Sequence, residues 1–478
     1  MSPMDLQSGL QLILYNTTAL LYMALLYNRV LVISYGVLFL LILPLLNVPM
    51  ALGQSISDSG LRLETVADGL NRPTAMAFLG PDDILVTEKD DGTVRRIIDG
   101  EVQEEPLLDV AVANDNGTNE RGLLGLAVDK YNETTTYVFV YYTESGGGED
   151  GDDSDDVVPA GNRLYRYELV ETRDENNDSV AKLVNPKLLL DLTARPGPRY
   201  NGGPLLVTHE ESNVNNTVGS TGGTPTPATT IYLMIGDLDH HETKAQNFES
   251  GPPPDGTGGI LKVDIEGNPL SNHPLVESDE EEEENDDNEN NEEVNMLDYY
   301  FAYGIRNSFG MDVDPVTGFL WDTENGPNNG DEINLVQPGF NSGWMDVQGM
   351  ASSDVDDDLE DFDGSGEYSD PEFVWDTTVG VTAIKFFNST QLGEEYDDDL
   401  FVGDINDGRL YHFDLDDDRR GLMLDGPLSD DVADNEGQLS DVIFGTGFTG
   451  ITDLEVGPDG YLYILMYTTG QIMRIVPE

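Results

Sequence analysis

Residues Tyr303–Trp344 read YGIRNSFGMDVDPVTGFLWDTENGPNNGDEINLVQPGFNSGW, and the fold is decided there. Apolar residues alternate with polar ones on either side of an Asp-Pro turn, the period of two expected of half-buried strands. A Gly/Pro/Asn loop follows and delivers Asp331 and Glu332 beside Asn334. The same phrase of strand, turn, strand, glycine and third strand returns along the chain. It is plainest at Gly450–Ile475, GITDLEVGPDGYLYILMYTTGQIMRI, and at Arg72–Ile97. Further copies run over Gly122–Tyr167, Asn201–Ile265, Gly304–Leu335 and Gly380–Phe413. Repeats of a multi-stranded unit bury their faces against neighbouring copies, which is how a propeller is written. The expectation is an all-β, six-bladed β-propeller over residues 55–478. Long acidic loop insertions, at Gly146–Asp156 and Glu277–Glu293, read as solvated and disordered.

Composition narrows the function classes. The chain has 478 residues, with 23 Lys+Arg against 92 Asp+Glu and a net charge of -69. Such a surface repels nucleic acid, whose affinity comes mainly from cationic contacts with phosphate. It attracts cations and stays soluble at high ionic strength. There is no cysteine, so disulfides and thiol chemistry are excluded. Arg29 precedes the apolar run Val30–Leu46, and small residues lie at -3 and -1 of a cut after Gly53. Residues 1–54 therefore read as a secretory signal or membrane anchor, with Met23 a more natural start than Met1. The expected location is extracytoplasmic, with membrane contact only through this segment.

Within the propeller, ligands bind where loops converge on the central channel. Arg306-Asn307 opens one copy of the repeat, and arginine offers a planar, always-charged fork to carboxylate or quinone oxygens. The loop Gly326–Glu332 combines irregular backbone carbonyls with two carboxylates, the oxygen set that calcium prefers. A second calcium candidate is Asp361–Glu372, DFDGSGEYSDPE. Asp361, Asp363, Ser365, Glu367 and Glu372 take the ligand places of a twelve-residue EF-type loop, with Gly366 at its turn. The cluster Asp237–His241 reads as a polar loop. No nucleophile elbow, zinc-protease motif or phosphate loop is present.

With these residues in hand, the chain resembles the glucose/sorbosone dehydrogenase family of soluble aldose dehydrogenases, which use pyrroloquinoline quinone and calcium. The resemblance spans about residues 60 to 476. It rests on GIRNSFG (Gly304–Gly310), GPNNGDEINL (Gly326–Leu335), Asn341–Trp344 and RGLLGLAV (Arg121–Val128). It implies a six-bladed propeller that oxidises a sugar or related alcohol and passes electrons to an external acceptor. Arg306 and Asn307 match the quinone-contacting pair, and Gly326 and Pro327 the pair whose carbonyls hold the catalytic calcium. Asp331 and Glu332, with the carbonyl of Ser342, match a structural calcium site. Trp375 and Thr377 match residues packed against the cofactor. Tyr200 stands where the family carries its catalytic histidine. Pro204, Asn406, Gly450 and Thr452 stand where it carries cations. Two alternatives follow from these exchanges: a non-catalytic, calcium-stabilised propeller that binds a carbohydrate or partner protein, and a calcium-dependent lactonase.

Overall fold

The computed structural model describes residues 53–114, 120–147, 158–173, 179–210, 228–270, 273–276, 295–351 and 359–478. The predicted leader lies outside them, apart from its last residues, as do the acidic insertions at 148–156 and 277–293. No helix among the described residues is long and apolar enough to cross a membrane.

The described strands form six sheets. Sheet I holds Pro73–Gly80, Asp83–Glu88 and Thr93–Ile98, edged by Glu101–Val102 and Leu108–Asp109. Sheet II holds Leu123–Asn132, Thr135–Ser145, Pro159–Arg173 and Ser179–Leu192. Sheet III runs through Leu205–Glu210, Ala228–Ile235, Gly259–Asp264 and Tyr300–Tyr303. It is extended in parallel by Phe340–Asn341 and Glu367–Tyr368. Sheet IV contains Ser308–Val313, Leu320–Glu324, Asp331–Val336, Phe373–Trp375 and Val432–Ala433. Sheet V contains Val381–Phe387, Asp399–Asp404, Arg409–Phe413, Ile443–Thr446 and Ser55–Ile56.

Sheet VI closes the ring. Its strands Ile451–Val456, Leu462–Met466 and Gln471–Pro477 come from the C-terminal end. Its outer strand, Leu61–Ala67, comes from the other end of the propeller and pairs from Leu61↔Pro477 to Ala67↔Ile472. Inner strands follow one another around the centre. Ser308–Val313 packs on Val381–Phe387, then Ile451–Val456, Pro73–Gly80, Leu123–Asn132 and Leu205–Glu210, which returns to Ser308–Val313. The chain is an all-β propeller, as the repeated phrase leads one to expect.

The core is divided between the sheets. Six apolar clusters each lie between two successive sheets. The strand Leu462–Met466 shows why its sequence is apolar throughout. Leu462, Ile464 and Met466 pack toward sheet V, while Tyr463 and Leu465 pack toward sheet I. Alternation sends neighbouring side chains to opposite faces, and here both faces are covered.

Candidate active site and acidic cluster

The inner strands and the loops joining them enclose a cavity of about 410 Å³, lined by residues from all six sheets. Its charged lining consists of Lys89, Glu120, Arg306, Lys385, Asp453 and Glu455, with Tyr200, Asn307, Gly326 and Asn406 beside them. Two of the cations are already paired. Lys89 donates to Asp90 at 2.7 Å, and Lys385 lies between Glu455 at 2.9 Å and Asp312 at 3.3 Å.

Arg306 differs from these. It is buried, with its guanidinium carbon over the Tyr200 ring at 4.0 Å and 5.3 Å from the centre of the Trp344 ring. Nη1 donates to the carbonyl of Asn325 at 2.7 Å, while Nε is buried with no hydrogen-bond partner. Oδ1 of the neighbouring buried Asn307 is likewise without one. A buried guanidinium edge and a buried amide oxygen left unsatisfied are costly, so a polar ligand in the cavity is what would complete them.

The backbone around Arg306 is fixed by carboxylates. Its N–H donates to Glu324 Oε1 at 2.6 Å, and its carbonyl accepts from Asp237 N–H at 2.9 Å. Asp237 also accepts the Trp344 indole N–H at 2.7 Å, and burial holds its carboxyl above the usual range. His240 stacks on Trp344 and meets Tyr200 edge-on. Asp237 and His240, expected to form a polar loop, thus shape the wall behind Arg306. Tyr200 itself sits in the left-handed region at φ 57°, and its N–H donates to Glu120 Oε2. Burial raises the Glu120 carboxyl above its ordinary value, against the opposing pull of Arg306, Arg199 and Lys89.

The Gly326–Glu332 loop splits the pair expected to act together. Asp331 accepts backbone N–H bonds from Gly326 at 2.9 Å and from Val379 and Gly380 at 2.7 Å each. It clamps the loop to the start of sheet V rather than offering its oxygens to a cation. Gly326 lines the cavity, and a side chain there would strike the Asn329 carbonyl at 1.9 Å. Glu332 turns inward. Its Oε1 accepts the Gly349 N–H at 2.6 Å, and its carboxyl, with that of Asp322, is raised well above the ordinary range by burial and by repulsion from Glu324. Glu324, desolvated as well, is pushed up to about 7 although Ser342 donates its hydroxyl at 2.5 Å. Neither oxygen of Asp322 nor Oδ1 of Asn334 makes a close hydrogen bond, although the Asn334 and Ser308 side chains lie beside Asp322 and favour its charge. The buried oxygens of Asp322, Glu324, Glu332 and Asn334 are hard donors of the kind calcium prefers; among the described residues, the carboxylate and imidazole atoms drawn within 4.8 Å of one another are those of Asp399, His412 and Asp414.

Other expectations are not met. Trp375 does not line the cavity; it packs on Phe373, Tyr411 and Phe413 in the core between sheets IV and V. Thr377 is exposed. The Asp361–Glu372 stretch does not close as an EF-type loop. Asp361–Ser365 makes a tight turn with Phe362, Asp363 and Gly364 all at positive φ, while Glu367 is committed to a parallel strand. Glu372 lies among the charges of Asp431, Asp416 and Arg420. Sequence reading missed Glu120, which precedes the RGLLGLAV motif by one residue, and the inward-facing Asp322 and Glu324.

Comparison with known proteins places this arrangement. Residues 70–474 match the glucose/sorbosone dehydrogenase family. The chain belongs to that family. An uncharacterised protein of Synechocystis is 25% identical over 424 residues, covering 86% of this chain and 85% of that one. The aldose sugar dehydrogenase of Escherichia coli is 31% identical over 183 residues, 37% of this chain and 43% of that one. The solved quinone-bound aldose sugar dehydrogenase of Streptomyces coelicolor superposes with a TM-score of 0.57 at 19% identity, over 88% of this chain and 99% of that one. Family membership makes the cavity, with Arg306 and Asn307 on its wall, the place to look for sugar oxidation.

Proposed function

We propose that this protein is an extracytoplasmic quinoprotein whose six sheets are the blades of a six-bladed propeller, oxidising a sugar at its central cavity. Arg306 carries the reading. In a chain with 92 acidic residues it is buried beside the cavity, over the Tyr200 ring, with Nε unpartnered. Arg306 and Asn307 would hold pyrroloquinoline quinone, and the carbonyls of Gly326 and Pro327 a calcium ion against it. When bound, the quinone supplies a two-electron acceptor for hydride. The chain's own residues bind and orient the sugar, take its hydroxyl proton and exclude water. Glu332, Ser342, Asp322 and Glu324 would hold a second, structural calcium. The electron acceptor lies outside the cell, where residues 1–54 would direct or tether the chain.

The test is a calorimetric titration of the calcium-loaded protein with pyrroloquinoline quinone. Micromolar or tighter binding is expected, weakened ten- to a hundredfold by Arg306→Ala, the loss of about 1.5–3 kcal/mol for a charge-assisted contact. No heat at high concentration overturns the quinone reading.

A second reading has its own support. Lys89 and Lys385 are neutralised by carboxylates, and Pro204, Asn406 and Thr452 line the cavity without adding charge. A neutral polyhydroxylated ligand needs no more cation than Arg306, and so also suits such a wall. Sugar binding without quinone binding would select it.

A further inference from the structure

We propose that the carboxylate of Glu120 accepts the hydroxyl proton of the bound sugar, replacing the histidine that the family carries at the position of Tyr200. The inference rests on the reading of the cavity as a sugar-oxidising site. A tyrosine hydroxyl is a poor base near neutral pH, so the exchange at this position leaves the proton without an acceptor. The Tyr200 ring serves another purpose, as the platform beneath the Arg306 guanidinium.

Glu120 is placed to take over. It lines the cavity, and its Oε2 accepts the N–H of Tyr200 itself, one hydrogen bond from the position the family uses. Lys89, Arg199 and Arg306 face the carboxylate and favour its charge, while burial opposes and outweighs them. A carboxylate held above its ordinary range is a better base at neutral pH than a free one.

The other acids near the cavity are engaged. Asp453 accepts the Met76 N–H at 2.7 Å and that of Leu454 at 2.9 Å, and Glu455 is paired with Lys385. Asp237 holds the Trp344 indole and the backbone of Asp239. His240 is half exposed and does not line the cavity.

The step balances as a two-electron oxidation. The quinone, held by Arg306 and Asn307, would supply the acceptor for the hydrogen and electron pair of the anomeric C–H bond. The O–H proton passes to Glu120, and the lactone C=O bond forms. Glu120 then returns the proton to solvent.

Glu120→Gln tests this while keeping an acceptor for the Tyr200 N–H. With quinone and calcium bound, kcat should fall a hundredfold or more, KM for the sugar should change less than threefold, and the acid limb of the kcat/KM–pH profile should vanish. Glu120→Asp should recover part of the rate. A quinone-free readout stands beside it: the carboxyl ¹³C resonance of Glu120 should titrate above the ordinary glutamate range and shift when glucose is added. Retained turnover in Glu120→Gln, or a Glu120 resonance indifferent to sugar, overturns the assignment. If wild-type protein binds no quinone, the dehydrogenase reading fails by itself. The glucose response of Glu120 then decides alone whether this carboxylate meets the sugar hydroxyl.

Discussion

The strands Leu320–Glu324 and Leu462–Met466 occupy equivalent places in sheets IV and VI, and both are buried throughout. One reads LWDTE and the other LYILM. On the face turned to the preceding sheet, Leu462, Ile464 and Met466 meet apolar neighbours, whereas Leu320 is followed by Asp322 and Glu324. The ring therefore closes equally well on hydrocarbon, and the carboxylates of sheet IV are not there to pack. Buried unpaired carboxylates are costly, so sheet IV keeps at Asp322 and Glu324 a destabilising pair that sheet VI does without.

The apolar strand gives the largest expected effect. Ile464→Ala should destabilise the propeller by about 2–5 kcal/mol, through lost burial and the cavity left behind. Urea unfolding should show the same loss in calcium and in chelator. A calcium-dependent loss would mean that sheet VI also contributes to a metal site.

The acidic strand should behave in the opposite way. Saturating calcium at a hundred times its dissociation constant should add about 2.7 kcal/mol to the wild-type protein. Glu332→Gln should remove most of that gain. Asp322→Asn should stabilise the protein in chelator, because it relieves buried repulsion, and destabilise it in calcium. An Asp322→Asn effect of the same sign under both conditions would remove the metal from this cluster.

The propeller class was legible because the repeat is carried by local chemistry. Asp-Pro and Asp-Gly turns, glycines and period-two alternation lie within each phrase, as in Gly450–Ile475. Arg306, Asn307 and Gly326 were legible for the same reason, since the turns that place them are local. Asp331 was not, because its partners at Val379 and Gly380 lie far along the chain. The family's spacing points to Trp375 as a cofactor contact, yet its ring is decided by Tyr411 and Phe413 of the next sheet. Glu120 carries no signal in its own neighbourhood beyond preceding the Arg121-Gly122 step. Its role appears only once the Tyr200 backbone is brought against it.

The EF-like stretch offers the smallest and sharpest contrast with sheet IV. Its spacing matches a calcium loop, but the strand Glu367–Tyr368 pulls the middle of the stretch away, and Glu372 ends beside Asp431 and Asp416. Burial and those two charges push the Glu372 carboxyl up to about 7. An acid raised in the folded state favours folding most when protonated. Its contribution is therefore complete below the unfolded value near 4.5 and is lost as pH rises through about 7. Melting temperatures of wild type and Glu372→Gln, taken from pH 4 to 8, should diverge across that window, with the variant flatter and relatively more stable at the upper end. Calcium should leave the difference unchanged, because the charges that Glu372 meets are those of Asp431, Asp416 and Arg420. A difference abolished by calcium would restore the loop as a binding site and place two metals in this half of the ring.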